Sequence, residues 1–189
     1  MRRRLLVIAG LSCTALLWAQ TVVADSTIPL SSWMPWAGDR FIVNVKENVG
    51  YLVHFDGTYT SFPVATGQRR TVHYIGMTYF AATPERSWTV KTLDLKGKSV
   101  TFGPTGRFLR LFHDDERTNY GLHSHRDIAE MLQKQNAERY RSMGCILVDD
   151  EVLNILERTF VETGPFEVIT AGNTKPLPAF VQDVTVREI

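Results

Sequence analysis

The most informative stretch of this chain is Arg141-Ser142-Met143-Gly144-Cys145-Ile146-Leu147-Val148, because it contains a cysteine after a glycine. The chain has two cysteines, and the other one, Cys13, lies in an apolar N-terminal segment. An exported form would therefore carry one thiol with no partner inside the chain. A solitary thiol in an oxidising compartment is prone to oxidation and cross-linking. Because the leading use of such a thiol is as a nucleophile, Cys145 is the first candidate site residue.

Residues 1–24 have the pattern of a secretory signal peptide. Arg2–Arg4 supply a positive start, residues 5–19 are apolar and almost uncharged, and small residues end the segment at Ala24. The apolar run is shorter than the roughly 20 residues that span a bilayer as a helix. We therefore expect a periplasmic or otherwise extracytoplasmic protein with no stable membrane span after cleavage, and an uncleaved anchor is the alternative.

The charge balance argues against a nucleic-acid partner. The chain has 21 basic and 20 acidic residues, and removal of residues 1–24 takes three arginines with it. The remainder is slightly acidic, whereas proteins that bind nucleic acid usually carry a basic surface. Residues 25–39 form a short leader that we expect Trp33 and Trp36 to pack onto the domain. Residues 40–189 are long enough for one domain with a hydrophobic core.

Helical patterns occur on both sides of Cys145. Residues 126–140 lack Gly and Pro and carry apolar side chains at helical spacing, which predicts a helix before the cysteine. A second helix is predicted after the cysteine, beginning after a candidate N-cap at Asp149 or Asp150 and ending before Gly164-Pro165.

The rest of the chain has β patterns, and residues 67–70 are predicted as a loop. Alternating apolar residues around the turn Asp56-Gly57 predict a hairpin. Predicted strands cover residues 40–45, 51–55, 58–64, 88–93, 99–102, 108–112 and 166–169. The predicted class is therefore mainly β (α+β), with one helix before and one helix after the cysteine.

The segment Tyr120-Gly121-Leu122-His123-Ser124-His125 offers a base for the thiol. If it is extended, His123 and His125 point to one face. A cysteine attacks a carbonyl as the thiolate and usually needs a histidine base, so either imidazole is a candidate. Two imidazoles and one thiolate would also suit zinc, which keeps a zinc hydrolase as an alternative.

An oxyanion site is predicted next to the nucleophile. A carbonyl attacked by sulfur needs hydrogen-bond donors for its developing negative charge. Gly144 allows the backbone of the loop to approach a substrate closely, so the amides of Gly144 and Cys145 are candidate donors.

His123-Ser124 followed by Ser142-x-Gly144-Cys145 resembles the catalytic signature of the L,D-transpeptidases (YkuD-type). The resemblance extends upstream to residues 62–67 and to Thr83-Pro84-Glu85, and it covers about residues 40–169. It implies an L,D-transpeptidase-like β-sandwich. It also implies an enzyme that remodels peptidoglycan by acting on its stem peptides. The thiol would displace D-alanine from a tetrapeptide, and an acceptor amine would then form a 3→3 cross-link or attach to the stem peptide.

The resemblance assigns roles residue by residue. Cys145 would be the nucleophile and His123 the base, and Ser124 would orient His123 through its backbone carbonyl. The amides of Met143, Gly144 and Cys145 would form the oxyanion hole. The resemblance implies neither a metal nor a cofactor. Accessory candidates are His125, Ser142 and Arg141.

The chain departs from the family pattern in three ways. Met143 stands where the family usually has histidine, and Leu147 stands where it often has arginine. Arg141 or Arg126 could replace the lost positive charge. The connection between His123 and Cys145 is also longer than usual. Two alternatives therefore stay open: a hydrolase on the same scaffold (an L,D-carboxypeptidase or amidase), and a wall-binding module with a decayed site.

Overall fold

A computed structural model describes residues 27–172 of the chain except residue 75. The predicted signal peptide at residues 1–24, and the part of the predicted domain beyond residue 172, lie outside the described residues. Among the residues described, no helix is both long enough and apolar enough to cross a membrane.

The described residues form twelve strands, three α-helices and two short 3-10 helices. The strands are β1 Arg40–Asn44, β2 Val49–Val53, β3 Tyr59–Pro63, β4 Thr66–Gly67, β5 Thr71–Tyr74, β6 Met77–Phe80, β7 Arg86–Leu95, β8 Arg107–His113, β9 Glu116–His123, β10 Tyr140–Ser142, β11 Ile146–Leu147 and β12 Phe166–Ala171. The α-helices are α1 Ser99–Phe102, α2 Ile128–Gln133 and α3 Asp150–Thr163, and the 3-10 helices are Leu30–Ser32 and Asn136–Glu138.

Eight strands form one sheet in the order β11-β9-β8-β7-β12-β1-β2-β3. Strand β12 joins the two halves of this sheet, because it pairs in parallel with β1 and antiparallel with β7. Two small ribbons, β10–β4 and β5–β6, complete the β structure. The predicted mainly β class, with a helix on each side of Cys145, is confirmed.

The main hydrophobic core lies between one face of the sheet and α3. The α3 side chains Val152, Leu153 and Leu156 are fully buried there with sheet residues that include Leu122 and Ile146. Successive side chains of a strand point to opposite faces. The neighbours of Leu122 and Ile146 along β9 and β11 are therefore directed to the other face, and this alternation is what positions the candidate site.

Six of the predicted strands are confirmed, with ends within two residues of the predicted ones. They are β1, β2, β3, β7, β8 and β12. The helix after the cysteine is also confirmed. The Asp149 side chain caps it by accepting a hydrogen bond from the amide of Val152 at 2.8 Å. The helix ends before Gly164, as predicted.

The predicted helix over residues 126–140 is wrong in its length. Only α2, Ile128–Gln133, is α-helical, and a 3-10 turn follows. The Asn136 side chain accepts a hydrogen bond from Nδ2 of Asn48 at 2.7 Å and donates one to the Lys46 carbonyl at 2.9 Å. Arg139 also donates to the carbonyl of Asn48. These tertiary contacts replace the continuation of the helix, since tertiary context can override helix propensity.

The predicted strand at residues 99–102 is also wrong, because these residues form the short helix α1. The amides of Thr101 and Phe102 both bond to the Lys98 carbonyl, and Phe102 packs its ring on Phe108 at 5.6 Å between centroids. Four residues with alternating apolar side chains are too few to tell a strand from a helical turn. The β5–β6 ribbon is a strand pair that the sequence analysis did not predict, and residues 66–67, at the edge of the predicted loop, pair with β10.

The leader packs onto the domain, as predicted for Trp33. The Trp33 ring is buried and stacks on the His54 imidazole with 3.8 Å between centroids. Trp36 covers the other face of that imidazole at 4.1 Å but stays partly exposed. Asp39 accepts from Nδ1 of His54 at 2.6 Å, so the sandwiched ring has its polar partner.

Candidate active site

A cavity of about 870 Å³ opens on the face of the sheet away from α3. Both Cys145 and His123 line it, together with His125 and Arg141. Met143 and residues of the β5–β6 ribbon form part of its wall. Six of the eight site residues predicted from the sequence therefore line one cavity, and Ser124 and Gly144 do not line it.

The pairing of β9 with β11 brings the two leading candidates to the same face. The strands are parallel, with Ile146 opposite Leu122 and Leu147 opposite His123. Ile146 and Leu122 point into the main core. Cys145, which precedes Ile146, and His123, which follows Leu122, are both directed into the cavity.

The orientation of His123 is fixed by its own neighbour. Its Nδ1 lies 2.7 Å from the backbone oxygen of Ser124, and a carbonyl can only accept, so Nδ1 carries the proton and donates. The neutral ring then has Nε2 as its basic nitrogen. The ring is also stacked on the Phe108 ring, with 5.5 Å between centroids, and packed against the Phe102 ring, with 5.0 Å between centroids. The hydrogen bond that the resemblance implied for Ser124 is thus present, and the Ser124 side chain itself is fully buried.

Burial governs the protonation of both candidates. The His123 side chain is 4% exposed, and this burial lowers its pKa to about 4, although the carbonyls of Ser124 and Thr101 favour the protonated ring. Burial raises the pKa of Cys145 to about 11, and a hydrogen bond from the Gly121 backbone and the charge of Arg110 counteract part of that rise. At neutral pH the resting pair is therefore a neutral imidazole and a neutral thiol.

The loop before Cys145 is held by two hydroxyl groups. Ser142 Oγ donates to the Cys145 carbonyl at 2.6 Å and accepts from the Gly144 amide at 3.0 Å. The buried Thr83 hydroxyl donates to the Gly144 carbonyl at 2.9 Å and accepts from the Gly67 amide at 3.0 Å. Thr83 belongs to the Thr-Pro-Glu segment noted in the sequence, but its contact with this loop was not predicted.

One of the three backbone amides predicted to form the oxyanion hole already has a hydrogen-bond partner in the structure. The Gly144 N–H already donates to Ser142 Oγ, so in this conformation it is not directed at the cavity as a free donor. The amides of Met143 and Cys145 stay as the candidate donors. Ser142, an accessory candidate in the sequence analysis, has a defined role as the residue that shapes this turn.

The other accessory candidates occupy different positions. His125 is half-buried at the cavity wall, and its Nδ1 accepts from the amide of Asp127 at 3.0 Å. Arg141 lines the cavity but is exposed, and its Nε donates to the Glu138 carbonyl at 2.7 Å. Arg126 is exposed and does not line the cavity.

Leu147 has a packing role at the position where the resemblance suggested an arginine. It is 3% exposed and contacts a small cluster that includes Ala65 and Ile128 of α2. Burial of an arginine there would remove its charge from water without a partner, which is strongly unfavourable. The apolar side chain at this position thus packs on the helix that precedes the cysteine loop.

Sequence reasoning missed two cationic side chains of the cavity wall, Lys96 and Arg110. Arg110 lies in the middle of β8 and is only 4% exposed. A charged residue inside an otherwise apolar strand was the available signal, since buried arginines are rare unless paired. The three side chains weighed as zinc ligands do not form a metal-binding group, and no other group of His, Cys, Asp and Glu does so among the described residues.

The fold is similar to those of solved proteins at low sequence identity. An L,D-transpeptidase from Xylanimonas cellulosilytica is 16% identical, with a TM-score of 0.51, over 71% of this chain and 61% of that chain. The helical cell shape determining protein Pgp2 from Campylobacter jejuni is 12% identical, with a TM-score of 0.51, over 80% of this chain and 55% of that chain. The present chain thus spans less than two thirds of either length. No protein-family model and no curated protein matches it.

The resemblance found in the sequence concerned one histidine segment, one Gly-Cys loop and the strands before them. The structure brings that segment and that loop to one cavity on a curled, mainly β scaffold. Together with the similarity to solved structures, this shows that the chain has the L,D-transpeptidase (YkuD-type) fold.

Proposed function

We propose that this protein is a cysteine acyltransferase that remodels peptidoglycan, with stem peptides as acyl donors. The observation that carries the proposal is the arrangement of Cys145 and His123 on one face of paired strands, inside one cavity. The fold supports the same conclusion, since it is the fold of L,D-transpeptidases.

In the proposed first step, Nε2 of His123 takes the thiol proton as sulfur attacks the carbonyl carbon of the donor amide. Because the pKa of the thiol is raised to about 11 and that of the imidazole is lowered to about 4, a stable ion pair does not form beforehand. Proton transfer therefore accompanies formation of the S–C bond. The carbonyl electrons move to oxygen, where the amides of Met143 and Cys145 would stabilise the charge.

In the second step, the C–N bond breaks and the imidazolium returns its proton to the leaving amine, D-alanine, which leaves a thioester on Cys145. An acceptor amine then attacks the thioester, loses a proton to His123 and forms the new amide. The thiolate leaves and is reprotonated by the imidazolium. An amine acceptor from a second stem peptide gives a 3→3 cross-link, whereas water gives hydrolysis.

The test is incubation of the purified protein with tetrapeptide muropeptides, with and without an acceptor peptide, followed by mass spectrometry. We expect a covalent adduct on Cys145, release of D-alanine and formation of dimers. The Cys145→Ala variant should lose the adduct and at least about a thousandfold of the rate. Undiminished product formation by that variant would contradict the proposal.

This assay, together with incubation of the protein with sacculi, separates the alternatives. Tripeptide products without dimers, even with excess acceptor, would assign an L,D-carboxypeptidase, and release of a protein from the wall would assign an amidase. Binding to sacculi by a protein whose thiol forms no adduct would indicate a wall-binding module. We also propose that residues 1–24 direct export, so deletion of residues 2–24 should retain the protein in the cytoplasmic fraction.

A further inference from the structure

Arg110 occupies the same row of the sheet as the candidate nucleophile. It pairs with Gly121 across β8 and β9, and Gly121 lies one residue before Leu122, the partner of Ile146. Cys145 lies one residue before Ile146, so Arg110 in β8, Gly121 in β9 and Cys145 just before β11 follow one another across the sheet. With about 4.8 Å between strands, the outer two Cα atoms lie about 10 Å apart. Both outer side chains line the cavity.

The space between these two side chains is apolar. Gly121 contributes no side chain, and a Cβ there would overlap with Cζ of Phe108. The Phe108 ring therefore fills that space, and the Arg110 guanidinium lies over the same ring at 4.9 Å from its centroid. An electrostatic interaction across an aromatic ring is screened much less than one across water.

The guanidinium of Arg110 has a fixed position. Its Nε donates to Oδ2 of Asp94 at 2.9 Å, its Nη2 donates to the same oxygen, and its Nη1 donates to the Thr118 carbonyl at 2.6 Å. Burial is the largest single influence and raises the pKa of Asp94, but the hydrogen bond and charge of Arg110, together with hydrogen bonds from Thr92 and Lys96, hold that pKa below its usual value. The ion pair is therefore charged at neutral pH.

Asp94 does not cancel the positive charge at this end of the cavity. Lys96 Nζ lies 3.4 Å from Asp94 Oδ2, and Arg117 Nη2 lies 3.6 Å from it, so one carboxylate faces three cations. No acidic residue of the described part of the chain lines the cavity. Arg141 is exposed, and water and salt screen its charge far more than that of Arg110.

We propose that Arg110, anchored by Asp94, is a positioning residue that stabilises the anionic form of Cys145 through the apolar gap formed by Gly121 and Phe108. Its importance for acyl transfer rests on the proposed function, but the ionisation of the thiol is measurable without any substrate. The charge of Arg110 also lowers the pKa of that thiol, against the opposing effect of burial.

Other charged or titratable groups border the same cavity, and the experiment has to keep them constant. They are Tyr74, Tyr79, Lys96, Tyr120, His123, His125 and Arg141. The variants therefore change only Arg110 and Asp94, at a fixed pH, and the comparison of two variants that both lack the Asp94 carboxylate keeps the surroundings of Lys96 and Arg117 the same.

The measurement is the rate at which iodoacetamide alkylates Cys145 in the full chain at pH 8, followed by mass spectrometry of the peptide that contains it. At a pH below the thiol pKa, this rate follows the thiolate fraction. Asp94→Asn leaves Arg110 charged without its counter-ion, so we expect alkylation about threefold faster than in the wild type. Arg110→Gln combined with Asp94→Asn removes both charges and should react about tenfold more slowly than Asp94→Asn alone.

These opposite directions separate electrostatics from damage to the fold. Loss of packing would expose the thiol and speed alkylation in both variants, and circular dichroism checks their secondary structure. Equal rates for the single and double variants would overturn the proposal. If the double variant does not fold, Asp94→Asn still tests it, because an unchanged or slower rate would overturn it.

The outcome is independent of the proposed function. If the wild type transfers no acyl group but alkylation follows the expected order, the proposed function fails and the role of Arg110 stands. If muropeptides are cross-linked but the alkylation rate does not depend on Arg110, the proposed function stands and the role of Arg110 fails.

Discussion

Gly144 adopts a backbone φ of +117°, and a Cβ at this position would lie 2.5 Å from Cε1 of Tyr120 and 3.2 Å from the Ala82 carbonyl oxygen. Its amide and carbonyl are also taken, by Ser142 and Thr83 respectively. The residue before the candidate nucleophile is therefore constrained by its backbone angle, by two hydrogen bonds and by an aromatic ring.

We expect Gly144→Ala to destabilise the protein by about 3 kcal/mol, since it combines an unfavourable left-handed backbone with a clash against Tyr120. Gly57→Ala is the matched control, because Gly57 has a φ of +86° but a Cβ there would meet no atom within 4 Å. That control should cost about 1 kcal/mol. Urea unfolding measures both, and equal costs would show that the contact with Tyr120 contributes nothing.

At this scale, the sequence predicted the residues that carry an evident chemical group. Cys145 and His123 stood out because a solitary thiol and a histidine-rich segment are visible in a linear pattern. Arg110 and Thr83 did not, since their contributions depend on which strands become neighbours. The hydrogen bond from the Gly144 amide to Ser142 could not be predicted from the sequence either, because it depends on the rotamer of that serine.

The leader is the element whose attachment depends most on single side chains. Trp33 is 2% exposed and stacks on His54, whereas Trp36 covers the opposite face of the same ring and is 43% exposed. Asp39 holds the imidazole in place from the end of the leader. The two tryptophans thus make similar ring contacts, but very different fractions of their side chains are exposed to solvent.

We expect Trp33→Ala to lower the free energy of unfolding by about 4 kcal/mol, because it removes a large buried side chain. Trp36→Ala is the control of the same chemistry and should cost about 1 kcal/mol, since much of that ring stays in water. Urea titrations followed by circular dichroism measure the two changes. A loss for Trp36→Ala as large as that for Trp33→Ala would contradict this view of the leader.

Among the elements, those with long and regular patterns were predicted well. The strands of the large sheet and α3 have strict periodicity and clear end signals, such as Asp149 and Gly164. The errors at residues 99–102 and 134–140 share a feature, because each segment forms a short helical turn that also bonds to backbone distant in sequence. Arg126 donates its amide to Val100, and Asn136 binds the turn after β1.

The stability of the whole molecule should depend on pH through His123. Its pKa is lowered to about 4 in the fold, against 6.5 as the ordinary value. Between these two values the unfolded chain binds more protons than the folded one, so stability rises with pH across this window and falls as the solution is acidified. At pH 5 the loss relative to pH 7 amounts to about 2 kcal/mol.

We expect the free energy of unfolding of the wild type to fall by about 2 kcal/mol more between pH 7 and pH 5 than that of a His123→Gln variant. His73→Gln is the control, because this histidine is exposed, and its pH dependence should match the wild type. Urea unfolding at both pH values gives the comparison. A His123→Gln variant that is as acid-sensitive as the wild type would show that other groups are responsible.

Strand β12 lies in the middle of the large sheet, between β7 and β1, although it is the last strand of the described chain. During synthesis, the hairpin strands near the start of the domain and the strands that carry His123 and Cys145 emerge before the piece that joins them. Until residues 166–171 have left the ribosome, the two halves of the large sheet are not joined within that sheet, and in the described part of the chain only the short β4–β10 ribbon and the bridge between Ala65 and Leu147 pair them. The large sheet on which Cys145 and His123 lie is thus completed only by its last strand, which favours folding of the completed domain over stepwise folding during translation.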